Sequence, residues 1–110
     1  MDAPKRGDLV WVNFSPQAGH EQAGRRPGIV LSADLFNSKT GFAIVCPITN
    51  QPKGYPFEVP VPAGEVFTGV VLTDQPRSFD WISGIRRFDK QGEAHPDFVQ
   101  DCLDYLHTYL

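Results

Sequence analysis

The chain has 110 residues, of which 41% are hydrophobic and 21% charged; this suffices for one core and is too apolar for a disordered polymer. A net charge of −3 argues against non-specific coating of nucleic acid, and no apolar run approaches the ~20 residues that span a bilayer. The N-terminus lacks the apolar segment of a signal peptide, so one cytoplasmic domain covering residues 1–110, with no membrane partner, is expected.

Ten prolines and ten glycines fall between short apolar runs, the pattern of a mainly β body with many turns. Gly7-Asp8 opens a β-branched and aromatic strand over residues 9–14. It is apolar on both faces from Leu9 to Val12, so it should be covered on both sides. Residues 15–27 form a polar connection far longer than the ~2–5 residues of an ordinary hairpin loop. Residues 28–32 read as a second strand. Residues 33–37 could make one helical turn capped by Ser32, and 37–41 form a turn cluster. A third strand over 42–46 is expected to stop at Pro47. After a second polar loop at 48–55, residues 57–61 alternate like an edge strand, which suits Pro60. Residues 70–73 are a fourth apolar run. A third polar cluster at 74–78 precedes apolar runs at 79–82 and 85–88. Prolines 60, 62 and 76 keep strands short, predicting a small, strongly bent antiparallel sheet or barrel.

The period changes at the end. In residues 96–110, Phe98, Cys102, Tyr105 and Tyr109 recur at helical spacing, with Val99, Leu103, Leu106 and Leu110 in the next row. Asp97, Gln100, Asp101, Asp104 and Thr108 take the opposite face. Pro96 suits the first turn, and Asp97 the positive end of the helix dipole. Residues 89–110 hold five acids and one base, a net −4, whereas residues 1–88 carry +1. An anionic ligand should therefore meet the β body. Cys46 and Cys102 sit in apolar segments without metal-ligand spacing and read as reduced, buried thiols.

The polar loops at 19–27, 49–55 and 73–78 each leave an apolar strand end. Together they hold His20, Glu21, Arg25, Arg26, Thr49, Gln51, Asp74, Gln75 and Arg77. Those are the groups an anion-handling site needs: cationic forks, hydroxyl and amide donors, and titratable groups for proton transfer. No Ser-His-Asp spacing, Walker loop, GxGxxG or metal motif is present. Periodicity does not say whether the loops converge.

Five stretches carry a resemblance: Gly7-Asp8-Leu9-Val10-Trp11-Val12; Glu21-Gln22-Ala23-Gly24 with Arg26-Pro27; Pro47-Ile48-Thr49; Gly54-Tyr55-Pro56-Phe57-Glu58-Val59; and Gly69-Val70-Val71-Leu72-Thr73-Asp74-Gln75-Pro76-Arg77-Ser78. In register from about residue 7 to the end, they resemble the MazF/PemK (Kid) toxins of bacterial toxin–antitoxin pairs. The resemblance implies an SH3-like β-barrel of the CcdB/MazF type with a C-terminal α-helix and one short helix, acting as a homodimer. It implies sequence-specific, metal- and cofactor-independent cleavage of single-stranded RNA, leaving 2′,3′-cyclic phosphate and 5′-hydroxyl ends. A cognate MazE-like antitoxin with a disordered acidic segment would inhibit it. By motif, Arg26 and Thr49 would be the catalytic pair. Beside that pair, side-chain chemistry makes His20, Glu21 and Asp74 the candidates to transfer or orient protons. It makes Gln22, Gln51, Lys53, Gln75 and Arg77 the candidates to contact RNA, with Arg25, at a position that varies in the family, auxiliary to them. The plasmid-borne branch uses a His and an Asp at the positions of His20 and Asp74, beside an Arg where this chain has Leu72.

Two other functions fit parts of the sequence. A CcdB-like gyrase-poisoning toxin shares the fold but depends on a C-terminal tryptophan, whereas this chain ends His107-Thr108-Tyr109-Leu110. A non-enzymatic SH3-like binding module would use Trp11, Tyr55 and Trp81 to line a peptide groove.

Overall fold

The computed structural model describes residues 2–14 and 24–109. Its elements in chain order are β1 (Asp8–Asn13), β2 (Arg25–Val30), α1 (Asp34–Thr40), β3 (Phe42–Thr49), β4 (Glu58–Pro60), β5 (Val70–Leu72), β6 (Arg77–Asp80), β7 (Asp89–Glu93) and α2 (Pro96–His107). Every pairing among these strands is antiparallel, in the order β4-β5-β3-β2-β1-β7, with β6 also on β3. The architecture is mostly β with a C-terminal helix, as expected.

Period-two alternation explains why β1–β3 are apolar on both faces. Leu9, Ile29, Leu31, Cys46 and Ile48 pack on one face against Phe98, Val99, Cys102 and Leu106 of α2, joined by Val59 and Val71. Val10, Val12, Val30, Ala43 and Val45 pack on the other against Phe14, Phe79 and Phe88. Each valine, leucine, isoleucine or phenylalanine among them, fully buried, contributes about 1.5–3 kcal/mol. The sheet is thus a shared wall between two cores.

Four expectations are corrected by the structure. β3 does not stop at Pro47 but runs to Thr49. Leu31 N–H donates to Ile44 O, so even-numbered residues of β3 turn their backbone polar groups toward β2. The odd ones face the other edge, where β6 ends its pairing at Val45 and β5 begins at Ile48. Pro47 falls in that gap, where no N–H is needed.

Residues 37–41 are not a separate turn cluster. They complete α1, which ends with Gly41 in the left-handed region at φ 78° and its N–H on Asn37 O. Ser32 does not cap α1. Its hydroxyl donates to buried Asn37 Oδ1 and accepts from Ile44 N–H at 2.8 Å, tying the helix to β3. Arg25, Arg26 and Pro27 do not end the polar connection of residues 15–27 but begin β2, where Asn13, Val12 and Trp11 of β1 pair with them.

α2 keeps the predicted amphipathic period. His95 Nδ1 accepts from Asp97 N–H at 3.2 Å, with Pro96 in the first turn. No helix among the described residues is long and apolar enough to cross a membrane.

Cys46 and Cys102 are both buried in the helix-side core. Burial pushes each thiol from 9.0 up to about 12, helped by the Asp74 charge at Cys46 and by Cys46 itself at Cys102. Between those values the folded chain holds protons that the unfolded chain has released, so stability falls as pH rises. The thiol contribution is complete below pH 9.0 and lost on the way to about 12. The urea midpoint should drop across that window, and a disulfide reagent at neutral pH should label the thiols only in denaturant.

Candidate active site

Arg25 and Arg26 are adjacent on β2, so their side chains leave opposite faces of the sheet. Arg25 forms an ion pair with Asp89 of β7, and its guanidinium also reaches Arg87 O at 3.5 Å. Arg26 faces the other way, into a cleft of about 280 Å³. β2 and β3 pair as Gly28↔Pro47 and Val30↔Val45. Continued by two residues, that register sets Arg26 opposite Thr49.

The cleft is lined by Arg26, Thr49, Gln51, Lys53, Tyr55, Phe57, Glu58, Leu72, Asp74 and Gln75. Three segments far apart in sequence thus meet because β3 is central. β2 brings Arg26 along one edge, β5 delivers Leu72 and Asp74 along the other, and β3 itself ends in Thr49. Thr49 Oγ1 accepts from Gln51 N–H at 3.1 Å, turning the chain at the cleft edge. The hydroxyl keeps its proton available for a ligand oxygen.

Two buried devices hold the walls. Thr73, fully buried, donates to Phe57 O at 2.6 Å and hydrogen-bonds the Tyr109 hydroxyl, anchoring the root of the Asp74 loop. Glu58 accepts from Lys53 N–H and Gly54 N–H at 3.0 Å each, one to each carboxylate oxygen. This ties down the tip on which Tyr55 stacks on Phe57, centroids 5.1 Å apart and rings 18° from parallel. Tyr55 remains 52% exposed, so one ring face is open.

Of the residues singled out from sequence, the cleft gathers Arg26, Thr49, Gln51, Lys53, Asp74 and Gln75. Arg25 is held by Asp89 of β7, outside this cleft. Arg77 begins β6, opposite Val45 of β3, and lies over the Phe79 ring. His20, Glu21 and Gln22 lie outside the described residues. Tyr55, Phe57 and Glu58 were missed as cleft residues, although an aromatic between Gly54 and Pro56 signals a held, exposed ring. The three aromatics of a peptide groove do not share a surface. Trp11 packs edge-on against Phe67 in one core, Trp81 packs on the other and donates to Asn37 O at 3.0 Å, and Tyr55 borders the cleft.

Known proteins match this chain in sequence and fold over nearly its whole length. The family model described as the PemK-like, MazF-like toxin of type II toxin–antitoxin systems matches residues 5–110. The Escherichia coli K12 protein named endoribonuclease toxin MazF is 47% identical over 97 residues, covering 88% of this chain and 85% of that one. The Escherichia coli protein named endoribonuclease PemK is 39% identical, covering 96% and 81%. Among solved structures, MazF from Deinococcus radiodurans superposes with a TM-score of 0.83 at 48% identity, covering 97% of this chain and 96% of that one. A MazE–MazF complex from the same organism gives 0.84 at 46%, covering 97% and 95%. With its sequence and its overall fold both matching these proteins, the chain belongs to the PemK-like, MazF-like toxin family of type II toxin–antitoxin systems.

Proposed function

We propose that the chain is a sequence-specific endoribonuclease toxin that cleaves single-stranded RNA without a metal ion and is restrained by a cognate antitoxin. The observation that carries this reading is the cleft itself, where a guanidinium, a hydroxyl and a carboxylate from three separated segments face one space. In the reaction, the RNA 2′-oxygen attacks the adjacent phosphorus, the bond to the 5′-oxygen breaks, and a 2′,3′-cyclic phosphate and a 5′-hydroxyl result. Charge builds on the phosphorane oxygens as this happens. Arg26 meets that charge with a two-pronged fork and Thr49 adds a hydroxyl donor.

The 2′-hydroxyl proton needs an acceptor, and the leaving oxygen needs a donor. His20, Glu21 and Asp74 are the groups for the task, and Asp74 lines the cleft. Glu58, the other cleft carboxylate, already has both oxygens on backbone N–H groups.

Tyr55 presents its open ring as a platform for a nucleobase beside the scissile phosphate, since single-stranded RNA is read largely by stacking on aromatic side chains. Tyr55→Ala should raise KM about 5- to 100-fold, as one lost stack costs about 1–3 kcal/mol, and should blur the cleavage motif. An unchanged motif and KM would remove Tyr55 from recognition.

The chain acts as a homodimer in this reading, and the acidic segment of the antitoxin competes with RNA for the cleft. The relatives' solved MazE–MazF complexes support such a partner. Incubating a long single-stranded RNA with the protein in EDTA tests the whole reading. Discrete cuts with cyclic-phosphate ends, abolished by saturating antitoxin, are expected. Intact RNA together with blocked gyrase would replace it by the gyrase-poisoning function.

A further inference from the structure

We propose that Arg77 and Arg86, set side by side over the Phe79 ring, form a second phosphate site that grips single-stranded RNA away from the scissile bond. This rests on the ribonuclease reading above and adds a substrate contact outside the cleft. The guanidinium carbons lie 5.2 Å and 4.6 Å from the Phe79 centroid, and Arg77 is also 6.0 Å from that of Phe14. Both rings are buried, so they fix the two forks from beneath.

What singles the pair out, among the described residues, is two cations sharing one ring with no carboxylate paired to either. Arg25 is paired with Asp89, and Lys90 with Glu93 and Asp8. Among the described residues, no ion pair involves Arg77 or Arg86. Burial, and then the neighbouring Arg77 charge, pull the Arg86 guanidinium below its ordinary pKa, the mark of a cation short of an anion.

Neither fork is spent. Arg86 uses Nη1 on Asn13 O at 3.2 Å and Phe14 O at 3.1 Å, and Arg77 uses Nη1 on Phe14 O at 3.4 Å. Each guanidinium has five N–H donors, so both retain donors for a bidentate anion.

The position selects RNA over other anions. Arg77 pairs with Val45, which shares a face of β3 with Thr49 four residues on. At ~3.3 Å per residue that is ~13 Å from the cleft. A stacked strand advances ~3.4 Å per nucleotide, so the pair meets a phosphate up to about four nucleotides from the cut. With the aromatic faces beneath already covered by guanidiniums, the contact is to backbone and carries no base preference.

The test uses fluorescence anisotropy with 2′-O-methyl RNAs, which lack the nucleophile, centred on the motif mapped for the wild type. One probe covers the motif alone, about four nucleotides, and the other extends it by about six at each end. Arg77→Ala should weaken the long probe about tenfold and lower its log–log salt slope by about one, with the short probe within about twofold. Arg86 also ties the end of β1, so its variant is Arg86→Lys. This keeps the charge and should retain most of the long-probe affinity. Equal losses on both probes, or none, would overturn the second site. So would loss of an acidic antitoxin-like peptide on Arg77→Ala with RNA binding intact. If the wild type cuts RNA while Arg77→Ala binds the long probe normally, only this inference falls. If the wild type cuts no RNA, the reading beneath it falls as well.

Discussion

Arg26→Ala is expected to lower kcat on a cleavable RNA by about 10²–10³-fold, the cost of removing one pre-oriented donor to developing charge. Arg26 is exposed at the start of β2 and packs into neither core, so its truncation leaves no cavity. In the proposed mechanism the interaction it loses strengthens only as the phosphorane forms. Hence kcat and kcat/KM should fall together. Arg26→Lys keeps the charge without the planar fork and should recover only part of the rate. Thr49→Ala removes a single neutral donor to a charged oxygen, worth about 1.5–3 kcal/mol, for a loss of about 10–100-fold. Thr49→Ser keeps the hydroxyl and should stay near wild type. Single-turnover cleavage, with circular dichroism to verify the fold, reads all four. Normal rates for both alanine variants would leave any ribonuclease activity standing and dismiss this pair.

A second large effect comes from a residue with no side chain. Gly69 has φ +111°, and a Cβ there would stand 2.0 Å from Thr49 O, 2.7 Å from Thr49 C and 3.0 Å from Asn50 Oδ1. The first two are backbone atoms and cannot rotate away. Gly69→Ala must therefore push the end of β3, and Thr49 with it, by roughly an ångström. A misplacement of that size costs about 10²-fold in rate. The unfavourable φ adds about 1–3 kcal/mol of strain to the folded state. Gly64→Ala is the matched control. Its φ is +96°, but nothing lies within 4 Å of the added Cβ, so it should lower Tm without moving the rate. A Gly69→Ala enzyme with normal kcat would show that the backbone behind Thr49 is not part of the catalytic geometry.

The strands at residues 9–14, 28–32 and 42–46 were legible because both faces are buried and local β-branched runs carry their own signal. The helix at Pro96–His107 was legible by its period. β7 was not. Asp89-Lys90-Gln91-Gly92-Glu93 has no apolar alternation and becomes a strand because β1 offers it an edge, with Leu9 opposite Gly92 and Trp11 opposite Asp89. Lys90 Nζ then reaches Glu93 of its own strand at 2.7 Å and Asp8 across the pairing at 3.4 Å. Pro47 misled for the converse reason. Whether a missing N–H matters depends on which neighbour lies beside it, and β3 changes neighbours there.

The same division runs through the site. Loop composition grouped Arg26, Thr49 and Asp74 among the polar candidates, the family resemblance singled out Arg26 and Thr49, and the charge distribution pointed an anionic ligand to the β body rather than the acidic helix. Their convergence, the separation of Arg25 from Arg26, the Tyr55 platform and the Arg77–Arg86 pair were decided by tertiary structure. Local sequence determines which residues prefer strand, turn or helix, because those preferences act over a few bonds. Which side chains share a space depends on strand register between segments tens of residues apart, and packing of both cores selects that register.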